Sequence, residues 1–176
     1  MIGVTELSGE RVSLREFSMA DAVAIFSLID TNRMHLSRHH NEISMMYPTL
    51  QTVVRSIVDP KPRRKRFGIR NKVGDYVGSI NLETLTNNPR VGEIGYYLGE
   101  QYQGNGYMVD AIMCLTAHAF LAMDIRLLFA YVYPENIPSQ RVIAKAGYVY
   151  TRDEVLGVTD THDNLIFQRY EKRPGV

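Results

Sequence analysis

Apolar and polar residues alternate along residues 10–17, the mark of a strand with one buried face. Ser18 and Asp21 follow as a Ser-x-x-Asp pair, which predicts a capped helix over 20–28. Residues 31–60 show no sustained period until 49–58, where a second helix is expected behind Pro48. Three runs, 67–70, 76–85 and 91–98, read as strands. Gly74 marks a turn at 71–75, and Asn87-Asn88-Pro89 makes the next one. Turns this short imply an antiparallel meander. From Gly104 the period lengthens, and Met108, Ala111, Ile112, Leu115, Ala119 and Ala122 share one helical face. Residues 127–133 form an apolar, aromatic strand. A helix over 136–146 tolerates Pro138 in its first turn and stops at Gly147; 148–152 and 165–170 are the last strands.

That order predicts an α/β fold with a mixed sheet. It is not doubly wound, because only the second half alternates strand and helix. A chain of 176 residues suits a single domain spanning 1–176. The lone Cys114 excludes an internal disulfide and any cysteine-cluster metal site. A formal charge of +1 argues against holding nucleic acid through global charge. The first residues carry no basic targeting segment. The apolar stretch 111–123 is too short for a bilayer and is broken by Thr116 and His118. A cytoplasmic protein with no membrane partner is the expectation.

The most informative segment is 93–109. A strand ends near Leu98, glycines stand at 104 and 106, and a helix starts at once. Glycines there let a ligand approach the backbone. The free N–H groups and the positive helix end then face an anion, most naturally a phosphate. The chain has no Lys-Ser or Lys-Thr pair for an ATP-type loop. Val109 breaks the dinucleotide fingerprint, which needs a third glycine or alanine.

Gln101-x-x-Gly104-x-Gly106 resembles the pyrophosphate-binding signature of the GNAT N-acetyltransferase superfamily. Asn136-x-x-Ser139-x-x-Val142-x-x-Lys145-x-Gly147-Tyr148 resembles its second signature. Gly92-Glu-Ile-Gly-Tyr and Gln103-Gly-Asn-Gly-Tyr-Met are similar to the RimJ/RimL type, which acetylates ribosomal-protein N-termini. The resemblance implies a mostly antiparallel mixed sheet with splayed central strands and about four flanking helices. Acetyl-CoA is the implied cosubstrate, with no metal. Backbone groups of Tyr96, Tyr97 and Leu98 would meet its pantetheine arm. Amides of Gly104, Asn105, Gly106 and Tyr107 would hold its pyrophosphate, and Gln101, Gln103 and Met108 would also contact the cosubstrate. Asn136, Ser139 and Lys145 complete the implied cosubstrate set.

Transfer of an acetyl group from a thioester to an amine needs a neutral amine, donors for the oxyanion and a proton for the leaving sulfur. Glu93 is the candidate base, directly or through water. Period-two counting puts it on the face of Tyr97, and a salt bridge or a substrate-positioning role is the alternative. Ser139 is the candidate acid, and helix capping is compatible with that role. Many family members carry a tyrosine seven residues after the asparagine; here that position is Ile143, which favours the serine. Leu36, Arg38 and His39 are candidates for acceptor contacts. The adjacent His39 and His40 point apart and make a poor metal pair.

The acceptor is expected to be a protein N-terminal α-amine. This titrates near pH 8, against about 10.4 for lysine, and needs less help from a base. A small-molecule amine and a non-catalytic CoA-binding module are the competing readings. Met113 and Phe120 form a second apolar stripe, open to a homo-oligomer contact or to burial under a neighbouring helix. The basic run 61–66 reads as a solvated turn or as a contact for an anion.

Overall fold

The structure, a computed structural model, describes residues 5–40, 42–158 and 163–175, and of His40 the backbone alone. The expectations about residues 1–4 and about the ring of His40 lie outside the described residues. The strands are β1 (Glu6–Ser8), β2 (Val12–Glu16), β3 (Arg64–Asn71), β4 (Tyr76–Thr84), β5 (Val91–Leu98), β6 (Leu127–Val132), β7 (Val149–Val158) and β8 (Asn164–Lys172). They form one sheet in the order β1-β2-β3-β4-β5-β6-β8-β7. Every neighbouring pair is antiparallel except β5 and β6, which run parallel. The longer helices are α1 (Ala22–Thr31), α4 (Leu50–Val58), α5 (Tyr107–Ala122) and α6 (Ile137–Lys145). The one-turn helices α2 (Arg33–Leu36) and α3 (Ile43–Met46) lie between α1 and α4.

The pleat divides each central strand between two cores. On one face Leu14, Phe67, Ile80, Leu82 and Ile94 pack beneath Met108, Ala111, Ile112, Leu115 and Ala119 of α5. On the other face Tyr76 and Tyr97 pack with Ile25, Leu28 and Ile29 of α1, Leu36 of α2 and Val53 of α4. The periodicity of α5 thus locates its buried face, although Ala122, in its last turn, is exposed.

Asp21 fixes the α1 layer to the sheet. It is almost fully buried, and its carboxylate accepts from the Ser18 N–H at 2.8 Å and from the Arg15 and Arg70 guanidiniums at 2.8 and 2.7 Å. Ser18 and Asp21 form the capping pair that their spacing predicts. For α4 the cap is Thr49, which accepts from the Thr52 N–H at 3.3 Å.

The structure departs from the sequence pattern in three places. The basic run is divided: 61–63 form the exposed turn that the sequence suggests, and β3 starts at Arg64, inside the run. Arg64 faces Glu83 at 3.6 Å, Lys65 meets Glu16 at 3.1 Å, and Arg66 donates to the Tyr47 hydroxyl at 3.0 Å. The unassigned stretch after α1 holds α2, α3 and a short turn in which His39 adopts a left-handed conformation, φ 56°. β7 runs to Val158 as an exposed edge strand.

Burial alone would raise the Asp21 carboxyl, but hydrogen bonds from Ser18, Arg70 and Arg15 outweigh it and hold the pKa at about 2, against 3.8 ordinarily. A depressed folded pKa adds stability that is complete above the ordinary value and is lost as pH falls through the folded one. Asp21→Asn is expected to cost about 1–2 kcal/mol at pH 7. Denaturant unfolding at pH 7 and near pH 2.5 should show this penalty shrinking at the lower pH.

Candidate active site

The parallel ladder between β5 and β6 covers Val91–Leu127, Gly92–Leu128 and Glu93–Phe129, and then stops. Beyond Glu93, β5 keeps its β4 partners but faces no strand on its other side among the described residues. A cleft of about 960 Å³ opens there, within the usual size of ligand pockets. Tyr96, Tyr97 and Leu98 form one wall. α5 and α6 contribute Val109, Met113, Ser139 and Val142, and Leu36, Arg38 and His39 close the third side.

Local packing explains the glycines of β5. A Cβ on Gly95 would lie 3.0 Å from the side-chain nitrogen of Asn81, which donates to the Gly95 carbonyl at 2.9 Å. A Cβ on Gly92 would lie 2.6 Å from a Leu82 methyl. At the mouth, Gly104 and Gly106 both have positive φ, 79° and 75°, and Gly106 caps the N-terminus of α5. A Cβ on Gly104 would meet nothing within 4 Å, so backbone conformation rather than crowding selects the glycine there. The Gln103 amide is spent on the Glu100 carbonyl at 3.2 Å, and the loop 104–107 presents its amides to the cleft at the positive end of a sixteen-residue helix.

Of the residues expected at the site, Tyr96, Tyr97, Leu98, Gln103, Gly104, Asn105, Gly106, Tyr107, Met108, Asn136, Ser139, Lys145, Leu36, Arg38 and His39 line this one cleft. Gln101 does not. It lies on an exposed 3-10 turn, Glu100–Tyr102, and its amide oxygen folds back to 3.1 Å from the Cβ position of Gly99. Glu93 also falls outside the lining, at the fork where the ladder ends.

Ser139 is held twice. Its N–H donates to the Asn136 side chain at 3.1 Å, so Asn136 is the helix cap, not Ser139. Its hydroxyl shares a 2.9 Å hydrogen bond with the Tyr96 hydroxyl. Burial pushes the Tyr96 phenol up to about 12, although the bond to Ser139 pulls the other way. Glu93 has no hydrogen-bond or ion-pair partner among the described residues. Burial raises its carboxyl above the usual range, Glu83 across the strand pair adds to this, and Arg64 and Arg169 oppose it.

Periodicity could not reveal Arg11. The turn before β2 is pinned to α5 by Asp110, which accepts from the backbone N–H groups of Arg11 and Val12 at 2.8 and 3.0 Å. This brings the Arg11 side chain to 3.4 Å from the Cβ position of Gly106 and into the cleft lining. Arg11, Arg141 and Lys145 all line the cleft, and none forms an ion pair among the described residues. Among those residues no group of His, Cys, Asp or Glu is arranged to hold a metal ion, and no helix is long and apolar enough to cross a membrane.

Residues 11–149 match the acetyltransferase (GNAT) domain family. The chain belongs to the GNAT acetyltransferases. It is 26% identical over 146 residues to the uncharacterised N-acetyltransferase YoaA of Bacillus subtilis, covering 81% of each chain. Its fold is similar to Mycobacterium smegmatis RimJ in complex with CoA-disulfide, with TM-score 0.80, 20% identity, and coverage of 97% of this chain and 87% of that one. It is also similar to a Salmonella typhimurium acetyltransferase described as modifying the N-terminal serine of a 50S ribosomal subunit protein, with TM-score 0.77, 17% identity, and coverage of 93% and 95%. This GNAT chain is an acetyl-CoA-dependent N-acetyltransferase with the mixed, mostly antiparallel, splayed sheet of the fold.

The raised Glu93 carboxyl carries a stability consequence. An acid whose folded pKa exceeds its unfolded value favours the unfolded chain once pH rises above the ordinary carboxylate range, and costs nothing below it. Glu93→Gln is therefore expected to unfold at a higher temperature than the parent at pH 8, with the difference closing by pH 4. Thermal melts at both pH values check this.

Proposed function

We propose that the chain acetylates a protein N-terminal α-amine by direct transfer from acetyl-CoA. One observation carries the chemical part of this reading. The edge of β5, unpaired among the described residues, runs from an anion-ready loop at its open end to a half-buried carboxylate, without a partner among those residues, at its closed end.

Acetyl-CoA is the substrate that suits this cleft. The amides of Gly104 to Tyr107 and the helix end receive the pyrophosphate, and Arg11, Arg141 and Lys145 supply the positive charge that its phosphates need. The edge of β5 from Ile94 to Leu98 accepts an amide-bearing arm as it would another strand. An arm entering past Leu98 brings its thioester towards the fork.

At the fork Glu93 acts as the base, through a water. Its raised pKa lies closer to that of an α-ammonium, which is the direction that makes proton transfer efficient. Free backbone N–H groups on the β5 edge stabilise the oxyanion. Ser139 and Tyr96 hydrogen-bond to the departing sulfur. A thiol ordinarily titrates near 8.5, and Tyr96 is pushed up to about 12, so the pair stabilises the thiolate as donors and remains protonated itself. The proton that the sulfur finally acquires is the one released by the amine.

The names of the structural neighbours support a protein N-terminus as acceptor. So does the chemistry, because an α-amine is already partly neutral near pH 8. Leu36, Arg38 and His39 stand on the side of the cleft where that acceptor meets the chain.

Release of CoA thiol from acetyl-CoA, followed over peptides with free N-termini, the same peptides blocked by acetylation, and spermidine, tests the assignment. Free peptides alone should support turnover. Glu93→Gln should lower kcat about a hundredfold and remove an inflection in the pH–rate profile above the usual carboxylate range, whereas Ser139→Ala should lower kcat about tenfold. Turnover on spermidine but not on peptides would overturn the acceptor. An unchanged rate in Glu93→Gln would overturn the base.

A further inference from the structure

The segment that forms the acceptor side of the cleft is tied to the phosphate loop by side chains that neither signature contains. Asn32, at the end of α1, accepts from the Glu100 N–H at 2.8 Å. The Glu100 carboxylate reaches Arg38 at 3.6 Å and His35 Nδ1 at 3.8 Å. The Gln103 side-chain nitrogen lies 3.1 Å from His35 Nε2. With the amide nitrogen as donor, Nε2 accepts and a neutral ring carries its proton on Nδ1. That atom is buried and makes no hydrogen bond among the described residues, with Glu100 just too far away.

An orphaned buried N–H is costly, and a short approach of the loop would satisfy it. The segment it would fix is already constrained. Leu36 is anchored in the core under α1, and His39 is held in a left-handed backbone conformation with its ring 6.2 Å from that of Tyr133, at the end of β6. His35 thus stands between the residues that would feel a bound phosphate and the wall that an acceptor would meet.

We propose that His35 is a positioning residue that couples the two halves of the cleft. Occupation of the loop by CoA fixes Gln103 and Glu100. These draw in His35, and residues 33–40 then set Leu36, Arg38 and His39 for the acceptor. The acceptor side is consequently built after the cosubstrate binds, and by reciprocity an acceptor tightens CoA. This inference rests on the assignment of the loop to CoA.

Hydrogen exchange of the whole chain with and without CoA tests it without knowledge of the acceptor. In the parent chain CoA should slow exchange both in 99–108 and in 33–40. In His35→Ala the protection of 99–108 should persist while that of 33–40 falls about tenfold. Glu100→Gln, an exposed change that keeps the His35–Gln103 bond, should fall between the two, and guards against a folding defect in His35→Ala. Equal protection of 33–40 in all three proteins would overturn the coupling, as would protection confined to 99–108 in the parent. A parent with no protection in 99–108 would instead overturn the CoA assignment, and the coupling with it.

Discussion

The ladder between β5 and β6 ends at Glu93 and Phe129, and the cleft exists because it ends there. Backbone N–H and C=O groups inside a protein need partners. Along Ile94 to Leu98 one edge of a central strand has none from the sheet. The rest of the site is arranged around that edge. Asn81 occupies the face of Gly95 and bonds its carbonyl, and α5 and α6 form the roof. The glycine loop turns the chain at the open end, so that a helix N-terminus faces whatever lies along the edge. A side chain at Gly95 or Gly92 would intrude on Asn81 or Leu82, which explains the Gly-Glu-Ile-Gly spacing in purely steric terms.

A near-zero net charge conceals an uneven distribution of charge about β5. Arg11, Arg141 and Lys145, which form no ion pair among the described residues, line the cleft together with Glu10 and Asp110. The closed end carries Glu93 opposite Glu83 across the strand pair, with Arg64 and Arg169 restraining but not cancelling their repulsion.

Elements with a long local period were legible in the sequence. The buried face of α5, the Ser18–Asp21 cap, Pro138 in the first turn of α6 and the left-handed Gly147 follow from spacing alone. The segment between α1 and α4 was not, because one-turn helices carry no period. The start of β3 was hidden by its charges, which pair with Glu83, Glu16 and Tyr47 on neighbouring elements. Most of the cleft could be named in advance because the two signatures lie on the loops and helices that line it. Arg11 and His35 could not. One reaches the cleft only through a backbone anchor on Asp110, far along the chain, and the other through a tertiary bond to Gln103. Gln101 lies outside the cleft lining because a 3-10 turn, which motif spacing does not reveal, folds its side chain back over Gly99.

If the free edge of β5 receives the thioester arm as a strand would, residue-resolved amide exchange of the parent chain with acetyl-pantetheine, which keeps the arm and lacks the nucleotide, will register it. Slowed exchange within Ile94 to Leu98, with no change along the β1 edge, is the expected result. Binding of acetyl-pantetheine that leaves exchange in Ile94 to Leu98 unaltered would contradict it.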